Sequence, residues 1–220
     1  MHILFGGSFD PIHTGHLATA EAVRVALHAK QAALLPAARS PLKSAGTADH
    51  HRLAMLRCAI QDYSALTIDE RELRRPPPSY TVDTLCEIRG ELGEQVPLIW
   101  ILGTDALAGL AQWKAWQSLL QLAHLVVIDR PDLPSQPSAE VAAWLATQTR
   151  AEQPDQLQCR AHGLWLRMAL PPQPFSSTSI RKQLTQRSAQ SHKPDGLPAR
   201  VWQYILNHQL YASDEIQNIP

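Results

Sequence analysis

The sequence has few cysteines, no long apolar run and no net charge, and each absence narrows the range of functions. Its three cysteines, Cys58, Cys86 and Cys159, are far apart and form no C-x-x-C pair. That pattern is typical of reduced thiols rather than of a disulfide framework or a zinc site. No window approaches about 18 consecutive apolar residues, so no membrane span is expected. The first residues also lack the charged and apolar regions of a secretory signal, which favours a cytoplasmic protein.

The charges balance, because 20 basic and 20 acidic residues leave a formal net charge of zero. Such a chain has no overall field that attracts nucleic acid or an anionic membrane, so neither is expected as a partner. A binding site for an anion must therefore be local. The apolar content of 45% is enough to fill a sizeable core.

Short apolar runs alternate with helical patterns along the chain. The apolar runs predict strands at residues 3–5, 32–35, 66–68, 98–102, 124–128 and 164–169. The helical patterns lie at residues 15–29, 49–61, 79–92, 138–148, 177–186 and 197–209, with a tryptophan-bearing helical segment between the fourth and fifth strands. This alternation predicts an α/β fold with a doubly wound, mostly parallel sheet and helices on both faces. We expect one domain over residues 1–212, a surface excursion at residues 131–162 and a frayed tail at 213–220.

The most informative segment follows the first predicted strand and opens the first helix. Residues 6–16, which we call the N-terminal loop, read G-G-S-F-D-P-I-H-T-G-H. Parallel sheets bind ligands at the carboxyl ends of their strands, so a site is expected here. Gly6 and Gly7 have no Cβ and let the backbone approach a ligand closely. A helix that begins near Thr14 presents unpaired N–H groups and its positive dipole end to an anion.

His13 and His16 stand three residues apart, which puts both imidazoles on one side of the first helical turn. Two such donors beside a helix N-terminus suit a triphosphate and can stabilise charge that develops at the α-phosphorus. Ordinary structural histidines, or a metal pair, would show the same spacing, although no third metal ligand is evident. The patterns G-x-G-x-x-G and G-x-x-x-x-G-K-[ST] are both absent, so phosphate binding here would be of another kind.

The N-terminal loop resembles the H-x-G-H segment of the nucleotidylyltransferase superfamily, and its full pattern is similar to that of bacterial nicotinate-nucleotide adenylyltransferases. The resemblance implies a Rossmann-like sheet and transfer of AMP from ATP to nicotinate mononucleotide, which gives deamido-NAD and pyrophosphate with Mg²⁺ assisting. It also implies catalytic roles for His13, His16 and Arg181. The ATP-binding residues that we predict come from several segments: Gly6, Gly7, Ser8, Phe9, Gly15, Lys43, Gly103, Asp105, Ser177 and Thr178. No residue is assigned as a metal ligand.

A second candidate phosphate segment, residues 175–181, reads F-S-S-T-S-I-R and opens a helix near the C-terminus. Its hydroxyls and free N–H groups can hold phosphate, and Arg181 can reach the same group with its guanidinium. Helix capping alone would also account for the run of serine and threonine. The run is similar to the family's [IV]-S-[SA]-T-x-I-R pattern, which contacts the ATP phosphates.

Two further positions lie where a nucleotide would be expected. Asp105 follows the strand at 98–102, where its carboxylate can accept hydrogen bonds from ribose hydroxyls or cap the next helix. The family's G-x-D pattern, linked to ribose recognition, resembles Gly103-Thr104-Asp105. Lys43 matches a family P-P-H-[KR] stretch near the phosphates, although a solvated loop lysine explains it equally well.

The acceptor site is predicted from the resemblance at two places. Ser79, Tyr80 and Thr81 begin a helix after three prolines, with Ser79 as its N-cap, and Trp113 lies in a partly exposed position. In the family these residues line the nicotinate site, where the indole stacks on the pyridine ring. Trp116 falls on the same helical face as Trp113, and core packing is its more ordinary role.

The reaction implied needs no general base, because the attacking phosphate is already ionised at neutral pH. Catalysis would then consist of positioning and charge stabilisation. Nicotinamide-mononucleotide and phosphopantetheine adenylyltransferases are the alternatives within this class, and a nucleotide sensor without turnover is an alternative outside it. A homo-oligomer is left open. The charged run at residues 69–75 is expected to be a solvated surface. Four further histidines are expected to be structural or solvent-exposed: His28, His50, His51 and His208.

Overall fold

The computed structural model describes residues 1–38, 46–76, 78–129, 136–171, 174–186 and 192–212. A six-stranded sheet forms its centre. The strands are β1 (His2–Gly7), β2 (Ala32–Pro36), β3 (Leu66–Ile68), β4 (Leu98–Gly103), β5 (His124–Asp129) and β6 (Trp165–Ala169). Each of the six predicted strands is present, which confirms the sequence pattern of apolar runs.

The strand order is β3-β2-β1-β4-β5-β6, and every neighbouring pair is parallel. The chain first winds outward from β1 to β3 and then returns to the centre, where β4 pairs with the other side of β1. The sheet is therefore doubly wound, as predicted. The winding changes direction between β1 and β4, and folds of this kind bind ligands at the carboxyl ends of the strands at such a point.

Helices connect the strands. They are α1 (Thr14–Ala26), α2 (Asp49–Ala59), α3 (Arg71–Arg74), α4 (Thr81–Leu92), α5 (Thr104–Ala108), α6 (Leu119–Leu122), α7 (Ala139–Thr147), α8 (Ser177–Thr185) and α9 (Ala199–Asn207). Short 3₁₀ turns lie at Ile60–Asp62, Leu110–Gln112, Trp116–Ser118 and Pro154–Gln158. In the described part of the chain, no helix is both long and apolar enough to cross a bilayer.

The helices cover both faces of the sheet. Successive side chains of a strand point to opposite faces, so each strand contributes to two cores. Ile3 belongs to a core that includes apolar residues of α1, α2, α8 and α9. Leu4 belongs to a second core with residues of α4 to α7. Strands covered on both faces need apolar residues at nearly every position, which explains the continuous apolar runs in the sequence.

The segment at 131–162 is more than the surface excursion that we predicted. Within it, Val141 and Leu145 of α7 are buried in the second core, and Leu157 is fully buried in the first. Val141 and Leu145 are four residues apart and therefore share one face of the helix. Residues 130–135 and the predicted tail at 213–220 lie outside the described residues, and the single-domain interpretation stays a prediction.

The predicted helix that carries both Trp113 and Trp116 is not continuous. A 3₁₀ turn ends before Trp113, which has an extended backbone, and Ala115 adopts a left-handed conformation before the next turn begins. Trp116 is buried and packs edge-on against Trp144 of α7, with ring centroids 5.0 Å apart. Trp116 is thus a core residue, as predicted, whereas Trp113 stays half-buried.

Candidate functional site

The N-terminal loop leaves the sheet at the carboxyl end of β1 and turns sharply at Phe9. Phe9 has a left-handed backbone (φ 47°), and its side chain is only 1% exposed. Its ring packs edge-on beneath the imidazole of His16, with centroids 5.0 Å apart. Phe9 can therefore contact a nucleotide only through its backbone, because its side chain belongs to the core that supports His16.

Gly6 lacks a side chain for a reason that the sequence did not reveal. A Cβ on Gly6 would lie 2.5 Å from two carbons of the Trp100 indole on the neighbouring strand β4. We predicted that Gly6 lets the backbone approach a ligand closely; the structure adds that Trp100 fills the space where its Cβ would lie. At Gly7 a Cβ would lie 3.0 Å from the ring of Phe9, so packing also disfavours a side chain there.

The two imidazoles of the N-terminal loop stack on each other at the start of α1. The ring centroids of His13 and His16 are 3.7 Å apart with 32° between the planes, which confirms that both lie on one side of the turn. The backbone N–H of His13 donates to Nδ1 of His16 (3.3 Å). Because Nδ1 accepts, a neutral His16 ring carries its proton on Nε2, where it can be donated to an oxygen. His13 is only 2% exposed, whereas His16 is half-buried and offers more of its surface.

The first turn of α1 has fewer available N–H groups than predicted. The helix begins at Thr14, but the N–H of Thr14 donates to the carbonyl of Gly196 (2.8 Å), a residue just before α9. One donor of the first turn is therefore already used by the protein itself. Gly15 follows in a buried position within the same turn.

Helix α8 brings the second candidate phosphate segment against the N-terminal loop. The hydroxyl of Ser177 donates to the carbonyl of Pro11 (3.0 Å), and Nη1 of Arg181 donates to the carbonyl of Asp10 (2.5 Å). Nη2 of Arg181 also donates to the hydroxyl of Thr178 (3.3 Å). The two segments therefore meet at one place, although they are some 170 residues apart in the chain. The sequence predicted each of them separately as a phosphate site.

The capping role in this segment belongs to Ser176, which the sequence reasoning did not single out. The Oγ of Ser176 accepts the N–H of Ser179 (3.0 Å), and the Oγ of Ser179 accepts the N–H of Ser176 (3.1 Å). This reciprocal pair is a capping box. Capping therefore accounts for two of the hydroxyls, while Ser177 and Thr178 make the other contacts described above.

A buried arginine, Arg52, fixes the other side of the N-terminal loop. It is 5% exposed and donates to the carbonyls of Ser8 (2.6 Å) and Ala37 (2.7 Å) and to the carboxylate of Asp49 (2.8 Å). It thereby ties the loop after β1 to the loop after β2. Its position on a helix with a weak apolar pattern gave no sequence signal for this role.

At the carboxyl end of β4, the chain passes from Gly103 directly into α5. Asp105 lies in the first turn of that short helix and is exposed, and no side chain caps the helix. Helix capping, one of the two interpretations of Asp105, is therefore not what the structure shows. Lys43, the remaining predicted ATP contact, lies outside the described residues.

The two segments predicted to bind the acceptor, residues 79–81 and Trp113, lie together on the second core. Tyr80 and Trp113 are both half-buried and pack against it. The neighbour of Trp113, Lys114, binds both oxygens of the Asp83 carboxylate (2.9 and 3.0 Å), and its ammonium lies 4.9 Å from the centroid of the Tyr80 ring. Lys114 therefore joins the turn at Trp113 to the start of α4. The helix begins at Thr81 with Tyr80 as its N-cap, so the prediction of Ser79 as the cap is wrong.

Comparison with known proteins shows the family of this chain. A family model described as "Cytidylyltransferase-like" matches residues 4–183. A protein of Xylella fastidiosa (strain M12), named "Probable nicotinate-nucleotide adenylyltransferase", is 41% identical over 225 residues, and the match covers 98% of both chains. One of the same name from Cellvibrio japonicus is 42% identical over 212 residues, with 94% of this chain and 97% of the other covered. The chain belongs to the nicotinate-nucleotide adenylyltransferase family. The resemblance that the N-terminal loop suggested is therefore confirmed.

Solved structures share the fold of this family member. The nicotinic acid mononucleotide adenylyltransferase of Plasmodium falciparum, complexed with NaAD, superposes with a TM-score of 0.71 over 96% of both chains at 18% identity. The same protein complexed with APC gives a TM-score of 0.66 at 17% identity. The Rossmann-like sheet predicted from the resemblance is thus confirmed.

Glu72, which we assigned to a solvated surface, is buried beneath the acceptor segment of this family member. It is 4% exposed and accepts a hydrogen bond from the hydroxyl of Thr84 (2.7 Å). Arg75 donates to the hydroxyls of Thr84 (3.1 Å) and Ser79 (3.5 Å). Burial raises the pKa of Glu72, and hydrogen bonds from Thr84 and the charge of Arg75 oppose that rise. The alternation of charges along residues 69–75 concealed this network, because it is typical of an exposed surface.

Three histidines that we left without partners lie together where α2 packs on α9. Nδ1 of His51 lies 2.9 Å from the hydroxyl of Tyr204, and its ring is 4.0 Å from that of His50 and 5.3 Å from that of His208. Burial and the two neighbouring imidazoles lower the pKa of His51. In the described ranges, no three histidine, cysteine or acidic side chains are grouped so that they could hold a metal ion.

A cavity at the amino ends of β1 and β2 lies on the opposite edge of the sheet. Met1, His28, Lys30 and Gln158 are among its lining residues. None of the predicted site residues lines it. Because ligands of this fold bind at the carboxyl ends of the strands, we do not assign the substrate to this cavity.

Proposed function

We propose that this protein transfers the AMP moiety of ATP to the phosphate of nicotinate mononucleotide, which yields deamido-NAD and pyrophosphate. Its similarity to curated relatives over nearly the whole chain supports this reaction. The observation that carries the proposal is the docking of Ser177 and Arg181 on the carbonyls of Pro11 and Asp10. It brings a guanidinium, stacked imidazoles and two helix N-termini to one edge of the sheet.

The reaction is an in-line displacement at the α-phosphorus of ATP. A phosphate oxygen of the acceptor forms a bond to this phosphorus as the bond to the bridging oxygen of pyrophosphate breaks. A phosphate monoester is ionised at neutral pH, since its second pKa is about 6. The acceptor therefore needs no general base, and pyrophosphate leaves with the electron pair of the broken bond. Catalysis consists of alignment and of stabilising the charge that builds on the leaving oxygen.

The N-terminal loop and the start of α8 bind the triphosphate in this proposal. His16 donates from Nε2 to the oxygens around the α-phosphorus, and His13 supports its ring by stacking. Arg181, held at the Asp10 carbonyl, supplies a fixed positive charge. The backbone of residues 6–9, Gly15, Ser177 and Thr178 completes the phosphate contacts, and Lys43, which lies outside the described residues, is a further proposed contact.

The remaining nucleotide contacts come from β4 and α4. Gly103 ends the strand next to β1 and Asp105 follows it, so the exposed carboxylate can accept hydrogen bonds from ribose hydroxyls. Trp113 stacks on the pyridine ring of the acceptor, and the segment from Ser79 to Thr81 binds the ring carboxylate through its N–H groups. The contacts of Lys114 with Asp83 and Tyr80 support this arrangement, because they hold the two segments together.

A divalent cation, which we propose is Mg²⁺, accompanies ATP. The carboxylate of Asp10 is engaged by Thr47 and Tyr211, and no acidic cage is formed by the residues described. Mg²⁺ commonly keeps several waters and binds through substrate phosphates with one or two carboxylates, so in this proposal ATP carries the cation into the site. The cation would neutralise charge on the departing pyrophosphate.

The test is pyrophosphate release from Mg-ATP with three acceptors compared side by side. Nicotinate mononucleotide is expected to turn over faster than nicotinamide mononucleotide, and phosphopantetheine is expected to be inert. Equal turnover of the two pyridine nucleotides would contradict the acceptor assignment. No release with any of the three would contradict adenylyl transfer itself.

A further inference from the structure

The C-terminal end of the described chain contacts the middle of the N-terminal loop. Four residues after α9 ends, the hydroxyl of Tyr211 donates to Oδ1 of Asp10 (2.5 Å), a residue 201 positions earlier in the chain. The same hydroxyl lies 4.0 Å from the sulfur of Met55 on α2. Burial, followed by the neighbouring Asp10 carboxylate, strongly raises the pKa of Tyr211. The phenol therefore stays protonated at neutral pH and remains a donor.

Asp10 is the point at which separate parts of the chain meet. It is 8% exposed, and its second carboxylate oxygen accepts the N–H of Thr47 (3.2 Å) from the loop that precedes α2. Its backbone carbonyl accepts Nη1 of Arg181 (2.5 Å). Tyr211, Thr47 and Arg181 thus hold one residue of the loop from three directions.

We propose that Tyr211 is a positioning residue for the triphosphate site: its hydroxyl fixes Asp10 and, through the Asp10 carbonyl, the guanidinium of Arg181. This inference rests on the proposed function, which places the triphosphate on the same loop. Tyr211 itself does not touch substrate. Its effect follows from geometry, because a shift of about 1 Å in a phosphate-binding group is enough to lower a rate substantially.

The loss of this hydroxyl has a defined local consequence. Without it, a carboxylate oxygen of the largely buried Asp10 loses a hydrogen-bond donor, and such a charged group seeks another partner or water. Asp10 lies between the left-handed turn at Phe9 and Pro11, whose carbonyl binds Ser177. Any movement of Asp10 therefore changes the anchoring of α8 on the loop.

A second tyrosine near the C-terminus provides a matched control. The hydroxyl of Tyr204 on α9 is also hydrogen-bonded, to Nδ1 of His51 (2.9 Å), but this pair joins α9 to α2 instead of to the loop. Tyr204→Phe and Tyr211→Phe each remove one hydroxyl. A purely structural role of Tyr211 predicts similar effects of the two variants on activity.

The experiment compares both variants with the parent protein in steady-state pyrophosphate release, with ATP and nicotinate mononucleotide varied separately. Tyr211→Phe is expected to lower kcat/KM for ATP by about ten-fold, since a hydrogen bond to a charged group is lost, and to leave the KM for the acceptor within two-fold. Tyr204→Phe is expected to leave both within two-fold. Equal values of kcat/KM for ATP in the two variants would overturn the proposal.

A binding measurement separates this inference from the assigned reaction. The Kd for a non-hydrolysable ATP analogue, measured by calorimetry on folded protein, is expected to rise in Tyr211→Phe and not in Tyr204→Phe, whichever acceptor is used in turnover. In an Asp10→Ala background, which lacks the acceptor of this hydrogen bond, Tyr211→Phe is expected to add little, because the two changes disrupt one interaction. If the two substitutions weakened binding of the analogue fully additively, the coupling between Tyr211 and Asp10 would be refuted. If the parent protein showed no turnover, only the proposed reaction would be refuted.

Discussion

Arg181 donates a hydrogen bond of 2.5 Å to the carbonyl oxygen of Asp10, although 171 positions separate the two residues. The bond orients the guanidinium at the edge of the sheet, and a lysine cannot reproduce its two-pronged geometry. We therefore expect Arg181→Lys to lower kcat/KM for ATP by about 100-fold, as for the loss of one donor to a developing charge. Steady-state pyrophosphate release measures this effect.

The adjacent cation on α8 serves as the control for that variant. Lys182 is exposed and makes none of these contacts with the loop. Lys182→Ala is expected to leave kcat/KM within two-fold. If both variants lost activity to the same extent, general positive charge on α8 rather than the position of Arg181 would be responsible.

His16 is expected to act mainly on the chemical step. Its Nε2 proton is fixed by the hydrogen bond that Nδ1 accepts from His13, and its interaction strengthens as charge builds on the leaving oxygen. His16→Ala should therefore lower kcat by about 100-fold or more and leave the KM for ATP nearly unchanged. His50→Ala, which removes an exposed imidazole from another helix, should not change kcat. A rise in KM alone for His16→Ala would contradict the assigned role.

Trp113 is expected to affect binding of the acceptor, whereas Trp116 is expected to affect stability. Trp113 is half-buried beside the acceptor segment, so Trp113→Ala should raise the KM for nicotinate mononucleotide by about ten-fold, given about 1–3 kcal/mol for stacking on a base. The KM for ATP should not change. Trp116 is buried against Trp144, so Trp116→Phe should lower Tm and leave both KM values unchanged. A change in the KM for ATP in the Trp113 variant would argue against a separate acceptor pocket.

Gly6 is expected to tolerate no side chain while Trp100 is present. The added Cβ of Gly6→Ala would stand 2.5 Å from the indole, and such overpacking costs about 1–3 kcal/mol of stability. Trp100→Leu removes the ring that causes the clash, so the double variant should be more stable than the sum of the two single losses predicts. Urea unfolding of all four proteins measures this coupling, and strictly additive losses would show that the clash is relieved elsewhere.

His124 is expected to make stability depend on pH. Its ring is fully buried, with Nδ1 accepting the N–H of Leu164 (3.0 Å) and Nε2 lying 2.9 Å from the carbonyl of Arg160. Burial lowers the pKa of His124 below its ordinary value of 6.5. The unfolded chain binds a proton below that pH while the folded ring resists protonation. The stabilisation is therefore present above pH 6.5 and is lost as the pH falls towards the folded pKa.

The matching measurement is the free energy of unfolding in urea between pH 8 and pH 5.5. His124→Gln should be less stable at pH 8 but should lose less stability below pH 6.5 than the parent. A residual slope is expected from His2 and His51, whose pKa values are also lowered by burial. His28→Gln, which changes an exposed ring, serves as the control for the loss of one imidazole. If the free energies of unfolding of the parent and of His124→Gln changed in parallel with pH, His124 would be excluded as the source of the pH dependence.

The sequence by itself determined the strands, the sheet class and the place of the N-terminal loop. These features depend on neighbouring residues: apolar runs fix the strands, and the three-residue spacing of His13 and His16 fixes their common side of a helical turn. The segment with Ser177 and Arg181 was also evident, because its serine and threonine run marks a helix start. The family resemblance was visible in the same short stretches.

Only the tertiary structure decided which distant residues meet. The contacts of Asp10 with Arg181 and Tyr211, the burial of Glu72 and the filling of the space above Gly6 by Trp100 have no local pattern. Periodicity reports which face of an element is apolar, but not which atom on another element will satisfy a buried polar group. That choice depends on how the sheet and both helical layers pack, since each buried donor or acceptor takes the partner that packing brings within reach.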